Sequence, residues 1–273
     1  MRLGIFAKTF AGSDPATVMA AVRAAGFDAV QYNMACSGLA AMPESLTEAQ
    51  VGAVSDAARA AGVAVAAVSG TYNMIHPDPG VRVAGLRRLG VLIDHAAGMG
   101  TGMVTLCTGT RDAEDQWRHH PENASSEAWR DLRAEMEKAC ALAEARGVRL
   151  GVEPELANVV NGAAAARRLL DEVGSPALVI VLDPANLFEM AEAAERRRLV
   201  DEAVGLLGDR IAMAHAKDRY ADGRFATAGK GVIDFQHFLG ALRGVGFDGD
   251  LVTHGLAAAE AAGVAAFLRG VGA

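Results

Sequence analysis

The chain of 273 residues is 51% hydrophobic and 22% charged, with a formal net charge of −7. That is the balance of a globular protein with ample core, and its acidic sign excludes a protein that tracks a nucleic-acid backbone through a basic face. Three cysteines, Cys36, Cys107 and Cys140, form no CxxC pair, so they frame neither a disulfide scaffold nor a zinc site and fit a reducing cytoplasm.

The N-terminal MRLGIFAKTF lacks an apolar stretch followed by a cleavage site, and no run approaches the ~20 apolar residues of a membrane span, so neither export nor a membrane partner is expected. LGIF itself reads as the opening strand. From there one joint recurs: an amphipathic or Ala-rich segment stops at glycine and an apolar run follows at once. In chain order the joints are Gly26 before FDAVQY, Gly62 before VAVAAV, Gly100 before TGMVTL, Gly147 before VRLGVE, Gly174 before SPALVIVLD, Gly208 before DRIAMAH and Gly246 before FDGDLV. Glycine just past a helix takes the left-handed conformation without steric cost, so each joint predicts a helix-to-strand passage. Segments such as SEAWRDLRAEMEKACALAEAR have the length and apolar spacing of the intervening helices. Seven joints and the opening strand predict eight strands alternating with helices, which in about 250 residues is the pattern of an α/β protein of the (β/α)8 TIM barrel type. One domain is expected over residues 1–273. A doubly wound open sheet is the rival, disfavoured because no GxGxxG opens the first helix.

In a (β/α)8 barrel the functional groups lie where strands stop, at the C-terminal mouth. Strand five stops at Glu153, strand six at Asp183, strand seven at His215 and strand eight at His254. A lone polar residue at a strand end is ordinarily a solvated or hydrogen-bonded terminus. Four metal-ligand types in succession around one mouth predict a metal site. The mixed oxygen and nitrogen shell suits one divalent ion, Mn²⁺ first, with Co²⁺, Fe²⁺, Zn²⁺ or Mg²⁺ as alternatives and Ca²⁺ disfavoured.

Loops around the same mouth supply further candidates. Tyr72, Asn73 and His76 in SGTYNMIHPD follow strand three, and TGTRDAEDQWRHHPENASS after strand four carries Arg111 and Trp117. Arg111 is expected to meet an anionic group, and Trp117 either walls the apolar face of a substrate or anchors its loop. Asn186, just past Asp183, is expected to hydrogen-bond substrate, since an amide is a poor ligand beside carboxylates and imidazoles. Lys217 and Asp218 are candidates for substrate hydroxyls, with a surface salt bridge equally compatible. The glycines of AGKG with Lys230 offer either a phosphate cradle or a plain turn.

These residues resemble the xylose isomerase-like barrels, the family of sugar-phosphate isomerases and epimerases, ketose 3-epimerases, inosose dehydratases and barrel-type apurinic endonucleases. The resemblance spans the chain and is carried by GFDAVQ, GVRLGVEPE, VLDPANLF, AHAKD and AGKGVIDF. It implies that Glu153, Asp183 and His215 hold one divalent metal. The chain departs from the pattern twice: His254 stands where the epimerases end strand eight with a glutamate that is ligand and second base, and Asn186 stands where they carry a histidine. The further ligands of the endonucleases find no match in HAKDRYADGRF.

A divalent ion that chelates a ketone and a neighbouring hydroxyl acidifies the carbon-bound hydrogen between them and stabilises an enediolate. Glu153 is the expected base and His254 the second proton carrier. The expected function is therefore a metal-dependent isomerase or epimerase of a small keto-sugar or sugar phosphate. The runner-up is a dehydratase or eliminase of a keto-sugar, keto-cyclitol or oxidised glycoside, in which His254 or Lys217 protonates the departing oxygen. A third reading is a barrel that binds sugar or metal without catalysis. The expected partner is a small polyhydroxy ketone, not nucleic acid, with a homo-oligomer left open.

Overall fold

The computed structural model describes residues 1–273. In chain order its strands are β1 (Arg2–Phe6), β2 (Ala29–Tyr32), β3 (Ala64–Ser69), β4 (Met103–Leu106), β5 (Arg149–Val152), β6 (Leu178–Leu182), β7 (Ile211–Ala216), β8 (Asp218–Arg219), β9 (Phe225–Ala226) and β10 (Asp250–Thr253). β8 and β9 pair antiparallel as a small hairpin, which the sequence reading did not anticipate. The other eight are parallel and close in the order β1-β10-β7-β6-β5-β4-β3-β2, so the expected (β/α)8 barrel is the observed fold.

Eight helices cover the strands: α1 (Pro15–Ala24), α2 (Glu48–Ala61), α3 (Pro79–His95), α4 (Ser126–Glu144), α5 (Ala163–Val173), α6 (Ala193–Leu207), α7 (Phe235–Gly244) and α8 (Ala261–Gly270). Their starts are written in the sequence. Asp14, Thr47, Asp78, Ser125 and Asp234 each accept a first-turn N–H of α1, α2, α3, α4 and α7, satisfying donors that the helix leaves unpaired. Six of the seven joint glycines, Gly26, Gly62, Gly100, Gly147, Gly174 and Gly246, take positive φ as expected. Gly208 does not: it stays helical at φ −54°. A Cβ there would lie 2.8 Å from the Val204 carbonyl oxygen and 2.9 Å from Val245 Cβ, so that glycine answers to crowding rather than to handedness.

Apolar packing has two parts. Leu89, Leu92, Met136, Leu170 and Phe238 belong to the large layer between sheet and helices. Ala29, Ala66, Met103, Val181, Met213 and Val252 form a smaller cluster. Gly151 in β5 is hemmed in, since a Cβ would stand 2.8 Å from Val181 Cγ2. Small side chains let the strands close tightly and fill the interior, which leaves the C-terminal mouth as the place where polar groups gather.

Candidate metal centre

Each of the four strand-end groups is placed by its strand. Glu153 extends the β5 ladder by one bond, its N–H donating to the Leu106 carbonyl at 3.1 Å. Asp183 leaves β6 in extended conformation, and its Oδ1 accepts the Ala185 N–H at 2.9 Å. His215 lies within β7 opposite Val252 of β10, and His254 follows β10 directly. One ligating atom from each of the four lies within 4.8 Å of the others. His215 Nδ1 is 3.1 Å from Glu153 Oε1, His254 Nε2 is 3.3 Å from Asp183 Oδ2, and the two imidazoles meet edge to face with centroids 4.5 Å apart.

The surroundings orient these groups. Gln31, at the end of β2, donates from Nε2 to Thr105 Oγ1 at 3.1 Å, which leaves its Oε1 to accept from His215 Nε2 at 2.8 Å. With its proton on Nε2, a neutral His215 turns the Nδ1 lone pair toward Glu153 and the rest of the cluster, the tautomer that a metal requires. Asn186 Nδ2 donates to Glu153 Oε1 at 2.9 Å, while Lys217 Nζ donates to Asn186 Oδ1 and pairs with Asp183 Oδ2, each at 3.3 Å. Burial alone would raise the Asp183 carboxyl, but the Lys217 ammonium, seconded by His254, holds it well below the usual range. Glu153 is likewise pushed up by burial and drawn below its ordinary value by His215. Burial and then His215 keep His254 below the ordinary imidazole value. Burial pulls Lys217 down, yet Asp183, Glu153 and Glu155 outweigh it and leave the ammonium raised. Two ionised carboxylates and two imidazoles converging on one point, one with its lone pair already aimed, fit a divalent ion of intermediate softness.

Residues 19–266 match the xylose isomerase-like TIM barrel family. The chain belongs to that family. No curated protein matches the sequence. Among solved structures this xylose isomerase-like barrel is similar to the 3-keto-D-glucoside 4-epimerase of E. coli, at 18% identity over 99% of both chains and a TM-score of 0.78. It is similar to an L-ribulose 3-epimerase at 21% identity, covering 99% of this chain and 95% of that one, with a TM-score of 0.76. A D-psicose 3-epimerase of Clostridium cellulolyticum H10, crystallised with D-tagatose, is 16% identical over 99% of both chains, with a TM-score of 0.76. At these identities the likeness is one of fold.

Several expected contacts of this xylose isomerase-like barrel turn out otherwise. Tyr72 does not face the mouth: its ring packs on Gly85 of α3, leaving no room there for a Cβ, and its hydroxyl donates to Glu135 of α4 at 3.0 Å. Asn73 spends its amide on the Thr110 and Ile75 N–H groups and the Asp112 carbonyl. His76 bridges the Ala113 carbonyl and the Asp78 N–H, and Arg111 is held by the Ile75 carbonyl and Asp131. Asn73, His76 and Arg111 bind the loops after β3 and β4 to one another, Tyr72 ties its loop to α4, and none of the four joins the cluster. Asn186 does reach the cluster, but both ends of its amide serve Glu153 and Lys217, which makes it a brace for a ligand first. The Asp218 carboxylate, fully buried, accepts the N–H groups of Arg219, Gly229, Gly231 and Ile233, and Lys230 pairs with Glu260. The N–H groups of Gly229 and Gly231 that a phosphate would need are taken, so AGKG is a turn clamped from beneath. Trp117 remains 47% exposed at the mouth.

Four residues near the site were not singled out from sequence. Gln31 stood at a strand end, a signal of the same kind as the ligands. Glu155 lies two residues past Glu153, where burial, reinforced by Glu153, pushes its carboxyl up to about 8. Arg219 and Phe225 come from the unanticipated hairpin. A cavity of about 570 Å³ beside the cluster is lined in part by Trp117, Glu155, Asn186, Lys217, Arg219 and Phe225.

Proposed function

We propose that this barrel is a divalent-metal-dependent isomerase or epimerase of a small polyhydroxy ketone. The observation that carries the reading is the convergence of Glu153, Asp183, His215 and His254, from four neighbouring strand ends, within 4.8 Å. Solved relatives named as a 3-keto-D-glucoside 4-epimerase and ketose 3-epimerases support the substrate class. The four residues would hold the ion, Mn²⁺ by the character of the donors. When bound, the ion polarises a carbonyl and a neighbouring hydroxyl and thereby acidifies the hydrogen on the carbon between them.

The chain's own groups do the rest. Glu153, oriented by Asn186, takes the carbon-bound proton. His254 arrives from β10, a different strand end from the β5 terminus that carries Glu153; as an imidazolium detached from the ion it would return a proton to that carbon and become the neutral imidazole. Lys217, pinned between Asp183 and Asn186, holds the departing or developing charge on oxygen. A lyase is the second reading, favoured by that same His254 and Lys217 pair, either of which can protonate a leaving hydroxyl. The acidic chain has no helix long and apolar enough to cross a membrane, and its three cysteines are free and buried, which supports a cytoplasmic enzyme acting on a small molecule.

Deuterium uptake from solvent into keto-sugars tests the reading. Protein loaded with Mn²⁺ should exchange the hydrogen next to the carbonyl, and Glu153→Gln should slow exchange by ~10²- to 10⁴-fold. His254→Ala should keep exchange but lose epimer; if wild type instead yields a product short of one water, the lyase reading replaces the first. No exchange into any keto-sugar by the loaded protein would sink both.

A further inference from the structure

Resting on the proposed function, we infer that the substrate is a glycoside: a keto-sugar ring at the cluster that carries a second, uncharged ring lying in the adjoining cavity. Four observations converge on this. The cavity shares Asn186 and Lys217 with the cluster but is lined by none of Glu153, Asp183, His215 and His254. It therefore continues past the reacting carbons and accommodates a part of the substrate that does not react. With ~30 Å³ for each water-sized group, about 570 Å³ holds roughly nineteen such groups, more than the heavy atoms of one hexose.

The rim is apolar. Trp117 from the loop after β4 and Phe225 from β9 are 47% and 51% exposed, and both line the same cavity. Single exposed aromatics are ordinary, but two that wall one cavity offer flat faces to the C–H side of a pyranose or to an aryl ring. The cations of the lining are not free. Lys217 and Arg219 share the cavity wall with the carboxyl groups of Glu155 and Glu189, and neither is left over for a phosphate. Both cations are also engaged already: Lys217 by Asp183 and Asn186, Arg219 by the carbonyls of Ala185 and Gly223, and each lies about 4 Å from the centre of the Phe225 ring, at 3.9 and 4.1 Å.

The test holds the reacting end constant and varies the tail. D-fructose, D-fructose 6-phosphate and two glucosyl-fructoses, linked through O4 and through O6, are titrated calorimetrically into Mn²⁺-loaded protein. At least one glucosyl-fructose should bind tenfold or more tighter than both D-fructose and its 6-phosphate. Trp117→Ala and Phe225→Ala, at exposed positions that leave the core untouched, should erase that preference while D-fructose binds as before. Tightest binding of the 6-phosphate, no gain from either glucosyl group, or a preference that survives both variants would overturn the inference. Deuterium exchange into D-fructose is followed alongside. Loss of exchange with the glucosyl preference intact would count against the epimerase reading and not against the cavity.

Discussion

Removing the Asp218 carboxylate should be the costliest single change outside the core. Its two oxygens accept four backbone N–H groups, from Arg219 at 2.8 Å, Gly231 at 2.9 Å, and Gly229 and Ile233 at 3.0 Å, and the side chain is wholly buried. A hydrogen bond to a charged group contributes ~1.5–3 kcal/mol, but four that share one acceptor are not additive, and water entering the vacated space recovers part of the loss. We therefore expect Asp218→Ala to destabilise by about 4 kcal/mol, a large share of the ~5–15 kcal/mol typical of a folded protein. Asp218→Asn keeps one acceptor oxygen and should lose somewhat less, about 3 kcal/mol. Urea unfolding measures the difference, and amide exchange should accelerate at Gly229, Gly231 and Ile233 in both variants. An Asp218→Ala protein within 1 kcal/mol of wild type, with those amides still protected, would show that the clamp does not hold the loop.

Two other perturbations address the centre itself. Gln31→Leu frees His215 to turn and should weaken Mn²⁺ binding by ~10- to 100-fold with little change in unfolding; unaltered affinity by calorimetry removes Gln31 from the account. Glu155 has a folded pKa of about 8 against an ordinary 4.5, so its contribution to stability is fully present below pH 4.5 and is lost as pH rises through 8. In metal-free protein, wild type should therefore lose roughly 5 kcal/mol relative to Glu155→Gln across that interval, as measured by urea unfolding at a series of pH values. Parallel pH profiles for the two proteins would refute this.

Glu153, Asp183, His215 and His254 were legible because a barrel converts sequence position into spatial position: a residue that ends a strand must reach the mouth. The same rule pointed to Gln31, whose amide looked less like chemistry than a carboxylate does. The placement of Tyr72, Asn73, His76 and Arg111 was not legible, because a loop residue's direction depends on what it meets. Here the loops after β3 and β4 meet each other and spend Asn73, His76 and Arg111 between them, while Tyr72 reaches α4. Arg219 and Phe225 were illegible for a related reason, since a hairpin of two-residue strands leaves no period in the sequence. Seven glycine joints set out the strand count, yet Gly208 shows that the same residue can mark close packing in place of a left-handed stop.

Closure of the barrel sets an order of events during synthesis. β1 is bonded on one side to β2 and on the other to β10, from Arg2 opposite Asp250 to Ile5 opposite Thr253, with the Met1 ammonium on Asp248 at 2.8 Å. A nascent chain that has made β1 to β7 therefore carries an open sheet with two unpaired edges, and both remain exposed to pairing with other chains until β10 emerges. His254 leaves the ribosome directly after β10. The strand that seals the sheet thus delivers the fourth ligand, so a metal that needs all four groups can be held only by a chain whose edges have already been covered.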